Sequence, residues 1–172
     1  MKKLITSTVL LISLISTAQN NWTVSNASPS SYGNAKLEDY LTDEDKFNGE
    51  KTYSTNTEVV SFWRTIKKGI SRQYVSVTVK GSTLNYGCYG VYILFNNGQK
   101  IMRKNEKVET AYSDGFEYRA FFTPTDNEIK LLQNQEITDV KLYIYDATVD
   151  RGETIMNDAK IILKLPKTKK KK

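Results

Sequence analysis

The sequence predicts a mainly β fold: an antiparallel β-sandwich, with a barrel as second choice, of about seven or eight strands and one or two short helices. Three observations predict it. Residues 74–80 read Tyr-Val-Ser-Val-Thr-Val-Lys, which puts Val75, Val77 and Val79 on one face and Ser76 and Thr78 on the other, the period of two of a half-buried strand. Asn96-Asn97-Gly98 and Ser113-Asp114-Gly115 separate apolar runs as hairpin turns do. Connections are short throughout, which favours antiparallel pairing over crossovers.

The elements follow in order. Met1-Lys2-Lys3 is a positive start, residues 4–15 are apolar apart from Thr6, Ser7, Thr8 and Ser13, and Ser16-Thr17-Ala18 supplies small residues before Gln19. That order is the signature of a cleavable secretory signal peptide. The apolar run falls short of the roughly 20 residues needed to span a bilayer core. Residues 20–35 are rich in Ser, Asn, Gly and Pro and read as a flexible leader. In residues 36–45, Leu37, Tyr40 and Leu41 recur at helical spacing, which suggests a short helical turn.

From there the sequence reads strand, turn, strand. Residues 52–60 are rich in Thr and β-branched residues, Ser61-Phe62-Trp63-Arg64-Thr65-Ile66 continues the same strand, and Lys67-Lys68-Gly69 ends it. Residues 90–95 are apolar throughout, as a central strand is. Asn97-Gly98 suits a type I′ turn, and residues 99–103 return from it. Residues 108–112 and 116–122 flank the second turn. Thr125 with Glu128 is a capping-box pattern that starts one helix, and Asn134 stops it. Residues 138–146 are one more strand, with Val140, Leu142 and Ile144 on a face. Residues 153–165 read as a closing helix starting at Asn157-Asp158, or as a last strand. The organisation is therefore a signal peptide at 1–19, a leader with a short helix at 20–44, a β-sandwich-like domain at 45–165 and a disordered Lys-rich tail at 166–172.

Charge follows this division. The chain carries 25 Lys+Arg and 19 Asp+Glu, a net +6. Losing Lys2 and Lys3 with the signal leaves +4, and five of the remaining cations are Lys167, Lys169, Lys170, Lys171 and Lys172, so the body is at −1. A nucleic-acid-binding domain carries its positive charge on a structured face, and this body has no such excess. The tail is a polycation suited to weak, salt-dependent contact with anionic surfaces.

The composition also restricts the chemistry. There is no histidine and one cysteine, Cys88. Imidazole-based nucleophilic sites and the usual zinc ligand sets are excluded, as is an internal disulfide. Cys88 precedes an apolar strand and reads as a buried, small apolar residue. No Gly-rich phosphate loop precedes a helix. No cofactor is implied. Carboxylate pairs remain as candidates for acid–base work, Glu117 with Asp146 or Glu106 with Glu109, and Asp146, Asp150 and Glu153 as oxygens for a calcium loop.

Aromatic residues are the most suggestive feature, with 11 Tyr, 6 Phe and 2 Trp. Tyr86, Tyr89 and Tyr92 cluster at one strand entry, Trp63 lies on an earlier strand, and Tyr112, Tyr118, Tyr143 and Tyr145 lie on neighbouring candidate strands. Rings on a sheet surface stack on sugars or pack against a protein. Tyr86, Tyr89, Tyr92 and Trp63 are the candidate partner-binding residues.

The run Gly90-Val91-Tyr92-Ile93-Leu94-Phe95-Asn96-Asn97-Gly98-Gln99-Lys100-Ile101, the helix Thr125-Asp126-Asn127-Glu128-Ile129-Lys130-Leu131-Leu132 and the strand Ile137-Thr138-Asp139-Val140-Lys141-Leu142-Tyr143-Ile144-Tyr145-Asp146 resemble a pattern found in small exported bacterial proteins of unknown function. The resemblance covers roughly residues 45–150 and implies no activity. The expectation is an exported, secreted or periplasmic, non-catalytic binding module for a protein or envelope glycan. It has no transmembrane segment in the mature chain and no specific nucleic acid as partner. The alternatives are a small carboxylate-dependent hydrolase and a structural envelope protein.

Overall fold

The computed structural model describes residues 28–29, 33–55, 57–112 and 115–165. The expected signal peptide, most of the residues before 33 and the Lys-rich tail lie outside the described residues.

The protein is mainly β, with nine antiparallel strands in one open sheet among the described residues. A 3-10 turn at Leu37–Tyr40 leads directly into β1 (Leu41–Asp45), so the sheet begins at Leu41. β2 (Glu50–Ser54), β3 (Val60–Lys67), β4 (Ile70–Gly81), β5 (Cys88–Phe95), β6 (Lys100–Tyr112) and β7 (Phe116–Phe122) follow. Then come α1 (Asp126–Asn134), β8 (Ile137–Leu142), β9 (Tyr145–Thr148) and α2 (Gly152–Ile162). The strand order is β1-β2-β3-β4-β7-β6-β5-β8-β9.

This corrects the expected sandwich or barrel. A sandwich needs two separate sheets, and here β6 belongs to both halves. Its first part pairs with β5, from Lys100 opposite Leu94 to Val108 opposite Cys88. Its last part pairs with β7, from Glu109 opposite Arg119 to Tyr112 opposite Phe116. A barrel needs its end strands joined, and β1 and β9 stand at opposite ends of the order. The sheet is nonetheless curled. Between Tyr89–Lys107 and Val91–Arg103, β6 spends four residues where β5 spends two, and Gly90 takes φ +108. Such a bulge bends the strand and increases its twist. The curl brings β4 against β8 and β9, which are not its hydrogen-bonded neighbours.

The core fills the inner face of this curl. Val60 and Phe62 on β3, Val75, Val77 and Val79 on β4, Val91, Ile93 and Phe95 on β5 and Tyr118, Ala120 and Phe122 on β7 form one buried cluster. Helix α2 contributes Ile155, Ala159 and Ile162 to it, and α1 contributes Ile129 and Leu132. Gly152 starts α2 where a Cβ would lie 2.5 Å from the Ile137 carbonyl oxygen, so the helix end meets β8 at backbone distance. The helix reading of residues 153–165 holds, but Asn157-Asp158 is inside the helix, not at its start.

Several other elements differ from expectation for local reasons. The strand expected over 52–66 is two strands, with a break after Ser54. The strand expected over 138–146 is a hairpin that reverses at Tyr143-Ile144. At Asn96-Asn97-Gly98 only Gly98 has positive φ. The Gly98 amide donates to the Phe95 carbonyl at 2.9 Å, so the loop is a type I turn with a glycine bulge, not a type I′ turn. The capping box is as expected: Glu128 N–H donates to Thr125 Oγ1 at 3.4 Å, and Thr125 N–H donates to Glu128 Oε2 at 2.7 Å.

Candidate functional site

The most constructed surface lies where the loop of residues 82–87 joins β4 to β5. β4 ends at Gly81, where a Cβ would clash with the Tyr118 ring and lie 2.9 Å from the Tyr145 ring. Only glycine lets those two rings close over the strand end. The rings pack at 4.7 Å between centroids, with Tyr118 fully buried. Their hydroxyls then hold the loop. Tyr118 O–H donates to the Thr83 carbonyl at 2.7 Å and accepts from Asn85 Nδ2 at 2.7 Å. The Thr83 and Tyr145 hydroxyls are 2.6 Å apart, and Thr110 Oγ1 donates to the Asn85 carbonyl at 2.9 Å. Three strands, β6, β7 and β9, therefore pin the loop at residues 83 and 85. Hydrogen bonds with the Ser82 and Thr83 side chains favour the Tyr145 phenolate and lower its pKa to about 8.

The pinned loop presents aromatic rings to solvent. Tyr86 is 85% exposed and Tyr89, at the start of β5, is 57% exposed. Tyr112 at the end of β6 is 73% exposed and packs on Phe116 at 5.2 Å between centroids. The β8–β9 turn adds Tyr143 and Ile144, and the Tyr143 amide donates to the Gly90 carbonyl at 3.0 Å, beside Tyr89. Tyr143 holds φ +57, a left-handed conformation that costs a bulky residue free energy and recurs at functional sites. Tyr92 is half-buried on the outer face of β5, opposite Met102.

Of the four aromatics singled out in the sequence, Tyr86, Tyr89 and Tyr92 thus lie at or near one end of the sheet. Trp63 does not join them. It sits on the outer face of β3, edge-on to Phe121 at 6.5 Å, with its indole N–H buried and unpartnered. The five tail lysines lie outside the described residues. The scaffold residues Thr83, Asn85 and Thr110 carry no sequence signal, because hydroxyls and amides are ordinary in loops and on strand faces.

The candidate acids have cationic neighbours. Glu117 pairs with Arg119 on its own strand. Glu106 pairs with Arg103 at 3.0 Å, and Glu109 with Lys107 at 3.0 Å. Asp146 stands opposite Lys141 on β8. Among the described residues, no group of three His, Cys, Asp or Glu side chains is placed to hold a metal. Cys88 is buried, and burial pushes its thiol pKa up. No helix among the described residues is long and apolar enough to cross a membrane.

Two cavities open elsewhere. One, of about 470 Å³, is lined by Ser28, the segment 57–59, the segment 148–151, Thr154 and Ile155. The other, of about 360 Å³, lies between residues 71–74 of β4 and the entry to α1. Neither is near the aromatic end. No family model, curated protein or solved structure matches the chain.

Proposed function

We propose that this chain is an exported, non-catalytic binding module that meets its partner through the aromatic end formed by residues 82–89, Tyr112 and the Tyr143-Ile144 turn. The observation that carries this reading is the pinned loop. Tyr118, Tyr145 and Thr110 fix its backbone at residues 83 and 85, while Tyr86 between those anchors and β5 is left facing solvent. A surface ordered before binding loses less entropy when it binds. Buried aromatic anchors dominate interface energetics. Pairing of Glu106, Glu109 and Glu117 with neighbouring cations supports a non-catalytic role. The charged start, apolar run and small residues of positions 1–19 support export to the periplasm or the outside of the cell.

The test compares the wild type with the Tyr86→Ala/Tyr112→Ala double variant. Each is immobilised and exposed to the envelope fraction of the source cells. The expected result is a component retained by the wild type and lost by the variant, with circular dichroism unchanged. Equal retention by both places the binding surface elsewhere and overturns the proposal.

A further inference from the structure

Charge is distributed unevenly around the aromatic end. Residues 81–99 contain no Asp, Glu, Lys or Arg, in a chain that is 26% charged. The Tyr143-Ile144 turn is uncharged as well. The charges that border this region are of both signs, and Arg119 pairs with Glu117. Lys107 bonds Glu109 at 3.0 Å, Lys80 stands opposite Glu117 and Lys141 stands opposite Asp146. The end itself therefore carries no charge to offer an ionic ligand. Polyanions bind through clustered unpaired cations, and each cation named here has a carboxylate as ion-pair partner or cross-strand neighbour.

What remains is a set of exposed tyrosines. Tyr86, Tyr89 and Tyr112 each expose a ring. They sit among Ser82, Thr83 and Asn85, with Leu84 and Ile144 as the exposed aliphatics. A stable protein interface buries roughly 800 Å² per partner around a contiguous apolar core, and three exposed tyrosines with two exposed aliphatics offer little of that. A pyranose suits them well. Its C–H face carries slight positive charge and meets the negative face of an aromatic ring, and its hydroxyls exchange hydrogen bonds with phenol groups. The hydroxyl network beneath the loop fixes its backbone at residues 83 and 85, so less backbone ordering is left to be done on binding.

We infer that the aromatic end binds an uncharged glycan, with Tyr86, Tyr89 and Tyr112 as stacking platforms. This inference rests on the binding-module reading above and names its ligand class.

The experiment is affinity electrophoresis of the full mature chain in gels containing neutral polysaccharides (a β-glucan, a xylan, a mannan and starch) or acidic ones (polygalacturonate and heparin). Retardation by at least one neutral polymer is expected, and it should be insensitive to salt because no ion pairs are involved. The Tyr86→Ala/Tyr112→Ala variant should bind that polymer at least about tenfold more weakly, which is about 1.4 kcal/mol. Retardation by acidic polymers alone, or neutral binding that the variant keeps, overturns the inference. So does the absence of any retardation. If no polymer binds but the wild type alone retains an envelope protein, the glycan inference fails and the binding module stands. If neither is seen, both fail.

Discussion

The Ser28 hydroxyl donates to Asp158 Oδ1 at 2.5 Å, joining residues 130 apart in sequence across the inner side of α2. Tyr40 O–H donates to the same oxygen at 2.7 Å. Asp158 is fully buried, and its other oxygen has no partner. One side chain thus ties the segment preceding the sheet to the last helix.

Removing that carboxylate breaks two buried hydrogen bonds. Asp158→Ala should lower the unfolding free energy by about 2–4 kcal/mol, since a hydrogen bond to a charged group is worth about 1.5–3 kcal/mol. Asp158→Asn keeps one acceptor oxygen and should cost less. Urea denaturation of the two variants tests the order, and equal losses would mean that packing volume, not hydrogen bonding, is what matters at this position.

Gly81→Ala should be costly beyond its size. The new methyl meets the buried Tyr118 ring and the Tyr145 ring, neither of which can move without opening the core. A loss of about 1–3 kcal/mol is expected, as for other overpacked sites, together with weaker partner binding as the loop of residues 82–87 loosens. Thermal melts and faster amide exchange in that loop are the measurements. A variant of wild-type stability would show that the two rings are not confined.

Acid should unfold the protein partly through Glu128. Burial alone would raise its pKa, but hydrogen bonds from Arg103 and Thr125 outweigh burial and hold it below the ordinary value. Arg103 Nε and Nη2 reach the two Glu128 oxygens at 3.0 and 2.7 Å, while its guanidinium lies 4.3 Å over the Phe122 ring. A carboxylate with a lowered folded pKa contributes stability above its unfolded pKa and loses it as pH falls through the folded one. Stability should therefore decline below about pH 4, and Glu128→Gln should flatten that decline while lowering stability at neutral pH. Denaturation midpoints across an acid series decide it; parallel curves for variant and wild type would refute it.

Alkali should reveal Tyr145. Its pKa of about 8 lies below the unfolded value of about 10. The unfolded chain then holds more protons between these values, so the contribution of this group to stability rises with pH across that window and is absent below it. One phenolate should titrate near pH 8 by ultraviolet absorbance, and Tyr145→Phe should abolish that step. Persistence of the step in the variant would assign it to another tyrosine.

Much of this was determined by the sequence alone, because it is local. The alternation of residues 74–80, the strand at 116–122 and the Thr125–Glu128 cap depend on neighbours a few residues away. So does the expectation that Cys88 is buried at the edge of an apolar run. The aromatic cluster was also partly legible, because Tyr86, Tyr89 and Tyr92 are close in sequence. The tertiary structure decided the rest. The reversal at Tyr143-Ile144 has no Gly, Asn or Pro to announce it, and the Tyr143 amide finds its acceptor on Gly90, far away in the chain. Tyr112 joins the aromatic end because β6 is one strand of 13 residues that bulges and passes between the two halves of the sheet. That same strand makes one curled sheet where two were expected. A bulge and the choice of pairing partner are settled by long-range packing, and the hydrophobic pattern of residues 100–112 suits either arrangement equally well.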